Sequence, residues 1–211
     1  MFKDMRVQFC KKGDAIYFSH LDLQRSVQRA LRRSGIPYWS TGGFSPHPYC
    51  IFAQPLSLGF ESQGELFDFR ITEGEDFDPE ALKRTFPESL KILDIYPAEN
   101  AFKKITAATY EIELKTGRDA KIIQKAFEGP LTVLKKTKRS EKEVDIRTFI
   151  HRMEISGIAG GVKMDCDIAT GNEKSLNPTY IEAALNQAGI PCSLTKVTRI
   201  CFLEDGGKVF R

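Results

Sequence analysis

The chain has 211 residues, 41% of them hydrophobic and 28% charged, a composition that is typical of folded proteins and excludes wholesale disorder. A chain of this length forms one large domain or two small ones, and its formal net charge of +3 is too small to indicate a partner. No segment reaches the roughly 20 apolar residues of a membrane helix, and the N-terminus lacks the apolar core of a signal peptide. We therefore expect a cytoplasmic protein with no membrane partner.

The sign of the charge alternates along the chain. Residues 1–50 carry eight Lys or Arg against three Asp or Glu (+5), and residues 51–100 carry four against eleven (−7). Residues 101–150 carry twelve against seven (+5). The basic blocks are candidate contacts for anions or nucleic acid, and the alternative is a set of solvated side chains on an average surface.

Cysteine and histidine usage predicts neither a metal centre nor a bound cofactor. The cysteines are odd in number and widely spaced, with no C-x-x-C pair, which favours reduced and mostly buried thiols over disulfides, zinc or an iron–sulfur cluster. The three histidines form no H-x-x-x-H pair. We expect no metal and no cofactor. The cysteines are Cys10, Cys50, Cys166, Cys192 and Cys201.

Alternation of apolar and polar residues, together with turn signals, predicts six elements in the first half of the chain. Ser19 stands at a helix N-cap position with Asp22 as its capping partner, and Gly35 ends that helix. Asp78 begins a second helix in the same way. In chain order we predict a strand over Met5–Lys11 that continues in extended form over Ala15–Phe18, a helix over 20–34, strands over Tyr49–Gln54 and Leu66–Thr72, a helix over 78–86 and a strand over Leu90–Tyr96.

The order strand, helix, strand, strand, helix, strand is typical of the ferredoxin-like arrangement. After a linker over 99–106 the same order recurs, with one strand more. We therefore predict an α+β protein of two tandem ferredoxin-like (βαββαβ) halves with antiparallel sheets, 1–100 and 101–211. The second half has predicted strands over Thr109–Lys115, Leu131–Lys136, Glu143–Ser156, Val162–Ile168 and Leu194–Leu203, and helices over 119–127 and 178–188.

The helix over 20–34 is amphipathic, with a core side and a basic side. At 100° per residue its four arginines fall within about 100° of arc, and the planar guanidinium donors suit the oxygens of several phosphates. The alternative is a solvated face on which Asp22 bridges to neighbouring arginines and the last two cations favour the helix dipole. The apolar side comprises Leu23, Val27, Ala30 and Leu31, and the basic side comprises Arg25, Arg29, Arg32 and Arg33.

Three residues are candidates for acid–base catalysis. His20 lies in the first turn of the helix with Asp22 close behind it, and His47 stands on a rigid turn between two prolines. A histidine titrates near neutrality and can therefore act as a general acid or base. The alternative is that His20 is a packing or capping residue and that His47 is part of a turn.

Residues 38–48 contain too many turn formers for regular structure, which predicts an ordered loop. The Gly42-Gly43 pair allows backbone amides to approach a ligand or simply makes the turn, and no Walker or G-x-G-x-x-G pattern is present. Aromatic side chains beside a basic helix are what single-stranded RNA-binding proteins use. The candidate RNA-binding residues are Arg25, Arg29, Arg32, Arg33, Tyr38, Trp39, Ser40, Gly43, Phe44 and His47.

Several fixed-spacing motifs resemble the radical-SAM-linked protein family of bacteria. They are SHLDLQR (19–25), RALRRSGIP (29–37), Ser40, GFSPHP (43–48) and PLSLG (55–59). The resemblance implies a functional partnership with a radical-SAM protein, and it supplies no catalytic residues. Because the chain lacks the C-x-x-x-C-x-x-C of a radical-SAM cluster, it would be the accessory part of such a system.

The leading hypothesis is an accessory protein of a radical-SAM system that binds tRNA or rRNA through the basic helix and the adjacent loop and is not an enzyme on its own. One alternative is a metal-independent endoribonuclease or RNA-modifying enzyme that uses His20 or His47. Another is a protein-interaction adaptor that does not bind RNA.

Overall fold

The computed structural model describes residues 2–72, 74–136 and 141–211, in which strands predominate and helices lie between some of them. No helix in these residues is both long and apolar enough to cross a membrane. The strands are β1 Phe2–Lys11, β2 Cys50–Phe52, β3 Glu61–Thr72, β4 Ile92–Pro97, β5 Ala107–Thr116, β6 Thr132–Lys136, β7 Glu141–Asp145, β8 Ile150–Ile158, β9 Gly161–Ala169 and β10 Cys192–Leu203, and the helices are α1 His20–Ser34, α2 Pro79–Lys83, α3 Ala120–Ala126 and α4 Thr179–Gln187.

The chain divides into two compact units, Met1–Phe102 with Arg211, and Lys103–Phe210. In the first unit β1 lies between β3 and β4, and the short β2 pairs with β3. In the second unit the strand order is β10–β5–β9–β8, and β6 and β7 form a separate hairpin. These pairings are antiparallel, so the expected α+β composition with antiparallel sheet is confirmed. The ferredoxin-like identity of each half stays a prediction.

The core of the first unit lies between one face of β1 and β3 and the apolar side of α1. Alternate residues of a strand point to opposite faces, and every second residue over 5–9 of β1 and 67–71 of β3 is buried in this core. α1 closes this core with its apolar stripe, and α2 contributes one leucine. The buried residues of these elements are Met5, Val7 and Phe9 of β1, Phe67, Phe69 and Ile71 of β3, Leu23, Val27 and Leu31 of α1, and Leu82 of α2.

The opposite face of β1 and β3 carries two cross-strand ion pairs. Arg6 and Asp68 stand directly opposite each other in register, and so do Asp4 and Arg70. Both guanidiniums contact both carboxylate oxygens of their partners, at 2.8 and 2.8 Å for the first pair and at 2.7 and 3.0 Å for the second. The two pairs differ in burial: the side chain of Arg6 is fully buried, whereas those of Arg70 and Asp4 are 25% and 40% exposed.

The buried pair also holds the end of the first unit. Arg6 Nη2 donates to the Asn100 carbonyl oxygen at 2.6 Å, and its guanidinium lies 4.3 Å from the centre of the Phe102 ring. A guanidinium out of water is stabilised by a carboxylate, by carbonyl acceptors and by an aromatic face. The predicted linker over 99–106 is therefore anchored at its start by β1.

Three predicted elements differ from the structure. The expected extended segment Ala15–Phe18 is wrong, because Gly13–Tyr17 forms a 3-10 turn that begins at a left-handed glycine, φ +55° at Gly13. The single strand predicted over Glu143–Ser156 is also wrong. A 3-10 turn over Ile146–Phe149 separates β7 from β8, and the Asp145 carboxylate caps that turn by accepting from the Arg147 amide. The helix predicted over 78–86 ends early, at Lys83.

We expect Asp68→Ala to lower the free energy of unfolding by about 3–5 kcal/mol, because it leaves the Arg6 charge buried without its carboxylate. Asp4→Ala is the matched control: it removes the same chemical group from the neighbouring pair, where solvent reaches both partners, and we expect a loss of about 1 kcal/mol or less. Urea unfolding followed by circular dichroism measures both. Equal losses for the two variants would contradict the assigned difference in burial.

Candidate nucleic-acid interface

Both ends of α1 are fixed by local interactions that the sequence predicts. The Ser19 hydroxyl accepts from the Asp22 amide at 3.2 Å and donates to the Asp22 carboxylate at 2.6 Å. Gly35 ends the helix in the left-handed region, with φ +70°. The hydrogen bond from Ser19 is the main cause that holds the pKa of Asp22 below its usual value. The predicted capping pair is confirmed, and the Asp22 carboxylate is thereby engaged with Ser19.

The four arginines of α1 are all exposed, and they divide into two pairs. Arg32 Nη2 donates to the Pro46 carbonyl oxygen at 3.1 Å, and Arg33 Nη2 donates to the Thr85 carbonyl oxygen at 2.9 Å. Arg25 and Arg29 donate no hydrogen bond and form no ion pair within the described residues, although Arg25 acts through space on Asp22. The last two arginines thus tie neighbouring segments to the helix, whereas the first two leave their donors to solvent.

Residues 40–48, the Ser40–Pro48 loop, form a small antiparallel turn beside α1. Ser40 pairs with Pro48 as an isolated bridge, and the Thr41 amide donates to the His47 carbonyl oxygen at 2.9 Å. The helix holds the same loop from the side, since Gln28 Nε2 donates to the Pro48 carbonyl oxygen at 3.4 Å, alongside the bond from Arg32. The structure therefore brings the basic helix and the predicted ordered loop together.

The tip of the loop is open and presents a single aromatic ring. Gly43 has a φ of +100°, a conformation that glycine adopts without strain. No atom lies within 4 Å of the position that a Cβ would take at Gly42 or Gly43. Phe44 follows these glycines and is fully exposed. Nothing in the described residues covers this ring.

His47 is half-buried in the loop, and its hydrogen bonds fix its orientation. Nδ1 lies 3.0 Å from the Ser45 carbonyl oxygen and 3.2 Å from the Thr41 hydroxyl oxygen. A carbonyl oxygen can only accept, so the tautomer with its proton on Nδ1 satisfies the shorter contact. The His47 amide donates to the Thr41 hydroxyl oxygen at 3.3 Å. In the neutral ring Nε2 therefore holds the lone pair, and within the described residues it has no hydrogen-bond partner.

The structure does not join His20 and Asp22 into an acid–base pair. The Asp22 carboxylate is bonded to Ser19, and the exposed His20 ring packs edge-on against Phe52, with centroids 5.4 Å apart. The recess that His20 lines has a volume of about 10 Å³, which is room for about one water molecule. A nucleotide does not fit there.

The two aromatic residues before the loop are packed within the protein. Tyr38 lies against the core of the first unit. The Trp39 ring lies 5.4 Å from the Phe2 ring and 5.5 Å from the Tyr49 ring, and these three rings surround the guanidinium of Arg70. Of the predicted aromatic contacts for RNA, Phe44 is the one with both ring faces open to solvent.

A family of proteins described as "Uncharacterized protein conserved in bacteria (DUF2344)" matches residues 4–178. The chain belongs to this family. The matched region contains α1 and the Ser40–Pro48 loop, and it agrees with the expected bacterial family of unknown function. The radical-SAM association forms no part of that description and stays a prediction. No curated protein matches the chain by sequence.

Solved structures show what this DUF2344 chain is similar to in fold. A chain in the crystal structure of a Cbf5–Nop10–Gar1 complex is 10% identical with a TM-score of 0.53, and the match covers 94% of the present chain. It covers 48% of that chain, so the present chain spans about half its length. Two others have lower TM-scores. An unknown protein from Galdieria sulphuraria is 13% identical with a TM-score of 0.29, and the match covers 92% of the present chain and 98% of that one. Thermus thermophilus Cse3 bound to an RNA representing a pre-cleavage complex is 11% identical with a TM-score of 0.24, with the same two coverages.

The second unit contains a cleft that the sequence patterns did not predict. It has a volume of about 360 Å³ and is lined in part by His151, Asp167, Glu204 and Asp205. Asp167 already accepts hydrogen bonds from Thr109 and Arg152, and Glu204 pairs with Lys208 at 3.4 Å. The Glu-Asp-Gly-Gly run at 204–207 is the one sequence signal for this cleft. No group of three or more His, Cys, Asp or Glu in the described residues is arranged to hold a metal ion.

The cysteines of the family member are free thiols. Cys10 and Cys166 are buried and the other three are half-buried. Burial raises the pKa of Cys50 and of Cys166 to about 12, so both stay protonated at neutral pH and are poor nucleophiles. Thiol chemistry at these two positions is therefore disfavoured.

We expect Ser19→Ala to lower the free energy of unfolding at neutral pH by about 1 kcal/mol, because it removes the N-cap of α1. The pKa of Asp22 is lowered in the folded protein, so the stabilisation from its carboxylate is present above the ordinary aspartate pKa and is lost as the pH falls through the folded value. The difference in the free energy of unfolding between the wild type and Ser19→Ala is therefore smaller at acid pH than at neutral pH. Urea unfolding at neutral and acid pH measures it.

Ser26→Ala is the control for that experiment, since it makes the same substitution within the same helix at a position with no capping role. We expect it to change stability little and to show no such pH dependence. If Ser19→Ala lowers the free energy of unfolding by the same amount at both pH values, the stabilisation from the Asp22 carboxylate does not depend on its hydrogen bond with Ser19.

Proposed function

We propose that this protein binds RNA through the exposed face of α1 and the Ser40–Pro48 loop, and that it does so as a non-catalytic accessory of a radical-SAM system. One observation carries the RNA-binding part. Arg25 and Arg29 are exposed and make no hydrogen bond in the described part of the chain, and they lie on a helix beside a loop that holds the Phe44 ring fully exposed.

Arginine chemistry supports a polyanion as the ligand. Each guanidinium is permanently charged and offers several donors to phosphate oxygens. Arg25 and Arg29 are one helical turn apart, about 6 Å along the axis, so their side chains can contact successive phosphates of one strand. The apolar stripe beneath them holds the helix in place, which reduces the ordering that binding requires.

A purely structural role accounts for only part of the arginine face. Arg32 and Arg33 each satisfy a carbonyl of a neighbouring segment and lie in the last turn, where the helix dipole favours cations. Arg25 and Arg29 are far from that terminus. Solvated lysines would serve solubility equally well, and a pair of arginines with open donors favours anion binding.

We further propose that each unit is a ferredoxin-like half and that the domain boundary lies near residue 100. In both units the first and third strands of the βαββαβ order lie in the centre of the sheet and pair with each other. The fourth strand flanks the first and the second strand flanks the third, which gives the orders β4–β1–β3–β2 and β10–β5–β9–β8. The division of the chain after Phe102 supports the boundary. The β6–β7 hairpin is then an insertion in the second half.

A second candidate function is RNA cleavage or modification at His47. The observation that favours it is the bond from Nδ1 to the Ser45 carbonyl oxygen, which leaves Nε2 as a proton acceptor in the neutral ring. Incubation of the purified protein with a pool of cellular RNA tests this function. A change in the RNA that disappears in His47→Ala supports it, and unchanged RNA under all conditions discards it.

The radical-SAM part of the proposal is supported by the sequence resemblance. Co-purification of the full chain with a radical-SAM protein from the same organism tests it. The double variant Arg25→Ala/Arg29→Ala distinguishes RNA binding from the adaptor alternative in the same experiment. If the arginines pair with acidic groups of the partner protein, the double variant no longer co-purifies with it. If the arginines bind RNA, co-purification is unchanged.

For RNA binding, we expect Arg25→Ala/Arg29→Ala to weaken affinity and to change its response to salt. Affinity for a single strand falls with salt by a slope of about 0.7 per phosphate contact. Loss of two contacts therefore makes the plot of log K against log salt shallower by about 1.4. Fluorescence anisotropy with a labelled RNA oligonucleotide over a salt series measures this slope.

Lys121→Ala/Lys125→Ala is the matched control for charge. These lysines are exposed on α3 with the same four-residue spacing, and they belong to the other basic block of the sequence. We expect this control to leave the salt slope unchanged. Equal losses of RNA affinity and salt slope in the two double variants would show diffuse electrostatic attraction instead of an interface on α1. Absence of RNA binding by the wild type would refute the proposed function.

A further inference from the structure

The tip of the Ser40–Pro48 loop combines an exposed aromatic ring with an anchored backbone. Phe44 is an apolar side chain with a relative exposure of 112%, and the loop that carries it is well anchored. Backbone hydrogen bonds join Trp39 to Tyr49 at 3.1 Å and Thr41 to His47 at 2.9 Å on the two sides of the loop. The ring is therefore held out in water by an ordered segment.

Anchoring to α1 adds to this order. The carbonyl oxygens of Pro46 and Pro48 accept from Arg32 and Gln28, so the loop is fastened to the same helix face that carries Arg25 and Arg29. An exposed aromatic ring does not stabilise the fold, because the stabilisation comes from burial of its apolar surface. A ring on a preorganised loop loses little conformational entropy when a ligand covers it.

The surroundings of the ring leave its faces accessible and add positive charge nearby. The glycines at 42 and 43 have no side chains, and open space surrounds them. The Arg32 guanidinium reaches the carbonyl of Pro46, two residues from Phe44. A flat apolar surface beside a cation suits a nucleobase, which stacks through its π face while its phosphate is attracted to the charge.

Resting on the RNA-binding function proposed above, we propose that the ligand is single-stranded and that one unpaired base stacks on Phe44 while the neighbouring phosphates lie along Arg25 and Arg29. Bases within a duplex are stacked on both faces, so a ring on a loop tip has no face to contact. An unpaired base in a loop, bulge or strand end offers one. Duplex RNA would contact the arginines alone.

The test uses a short single-stranded RNA with 2-aminopurine at one position, and the same RNA annealed to its complement. Stacking on an aromatic ring contributes enough that its removal by alanine weakens binding about 5- to 150-fold. We expect Phe44→Ala to lower affinity for the single strand within this range and to leave duplex affinity unchanged. We also expect the wild type, and not the variant, to quench the 2-aminopurine fluorescence.

Two conservative variants separate stacking from bulk. Phe44→Trp keeps a flat ring and should bind the single strand as tightly as the wild type, whereas Phe44→Leu keeps an apolar side chain without a π face and should behave as Phe44→Ala does. Because Phe44 is fully exposed, all three variants should keep the wild-type melting temperature, which verifies that the loop change has not altered folding.

The outcomes distinguish this inference from the function on which it rests. If Arg25→Ala/Arg29→Ala weakens binding but Phe44→Ala and Phe44→Leu bind the single strand as the wild type does, stacking is refuted and RNA binding stands. A Phe44→Ala loss of affinity that is as large for the duplex as for the single strand also refutes it. If the wild type binds no RNA but binds anionic phospholipid vesicles in a Phe44-dependent way, both the function and the inference fail.

Discussion

The first unit depends on the burial of one side of α1. The apolar stripe of the helix covers the inner face of β1 and β3, and a helix that commits one side to a core must present its other side to solvent. Ser19 and Gly35 determine where the helix begins and ends, and the stripe determines its rotation. The positions of the arginines follow from these two constraints, so the same packing that stabilises the fold defines the basic face.

The Ser40–Pro48 loop depends in turn on that face. Its tip has no core of its own, and α1 supplies donors from Gln28 and Arg32 to the carbonyls of the two prolines that flank His47. Those bonds exist because both side chains project from the solvent side of the helix. Core packing, helix rotation and loop order are therefore successive consequences of one hydrophobic contact.

Local features of the sequence predicted local structure well. The Ser19 cap, the Gly35 stop and the apolar stripe each depend on residues close together in the sequence, and the structure agrees with them. The failures have the same explanation. The Ala15–Phe18 segment has strand-forming residues, but the left-handed Gly13 turns the chain before they can pair, and the cap at Asp145 interrupts a segment whose alternation alone favours one long strand.

What the sequence could not show were contacts between distant residues. Trp39 has the composition of a stacking residue, yet Arg70, thirty-one positions later, lies against it. Helical spacing alone made Arg32 and Arg33 as good candidates for RNA contacts as Arg25 and Arg29. It does not show that the carbonyl oxygens of Pro46 and Thr85 lie within hydrogen-bonding distance of Arg32 and Arg33. The partners of each side chain in the structure distinguish arginines that the sequence pattern treats alike.

That criterion separates the arginines of the first unit by burial and partner. Arg6 is buried and gains a two-oxygen carboxylate contact and an aromatic ring, as a desolvated guanidinium requires, and the partly exposed Arg70 makes contacts of the same kind. Arg32 and Arg33 stay solvated and bind carbonyls. Arg25 and Arg29 stay exposed and make no hydrogen bond or ion pair within the described residues, although Arg25 acts through space on Asp22, so their donors remain available to an anion. Free guanidiniums attract anions at long range and in a salt-sensitive way, whereas an exposed ring such as Phe44 contacts a ligand only at short range, where salt screens little. The two proposed contributions to RNA binding can therefore be measured independently.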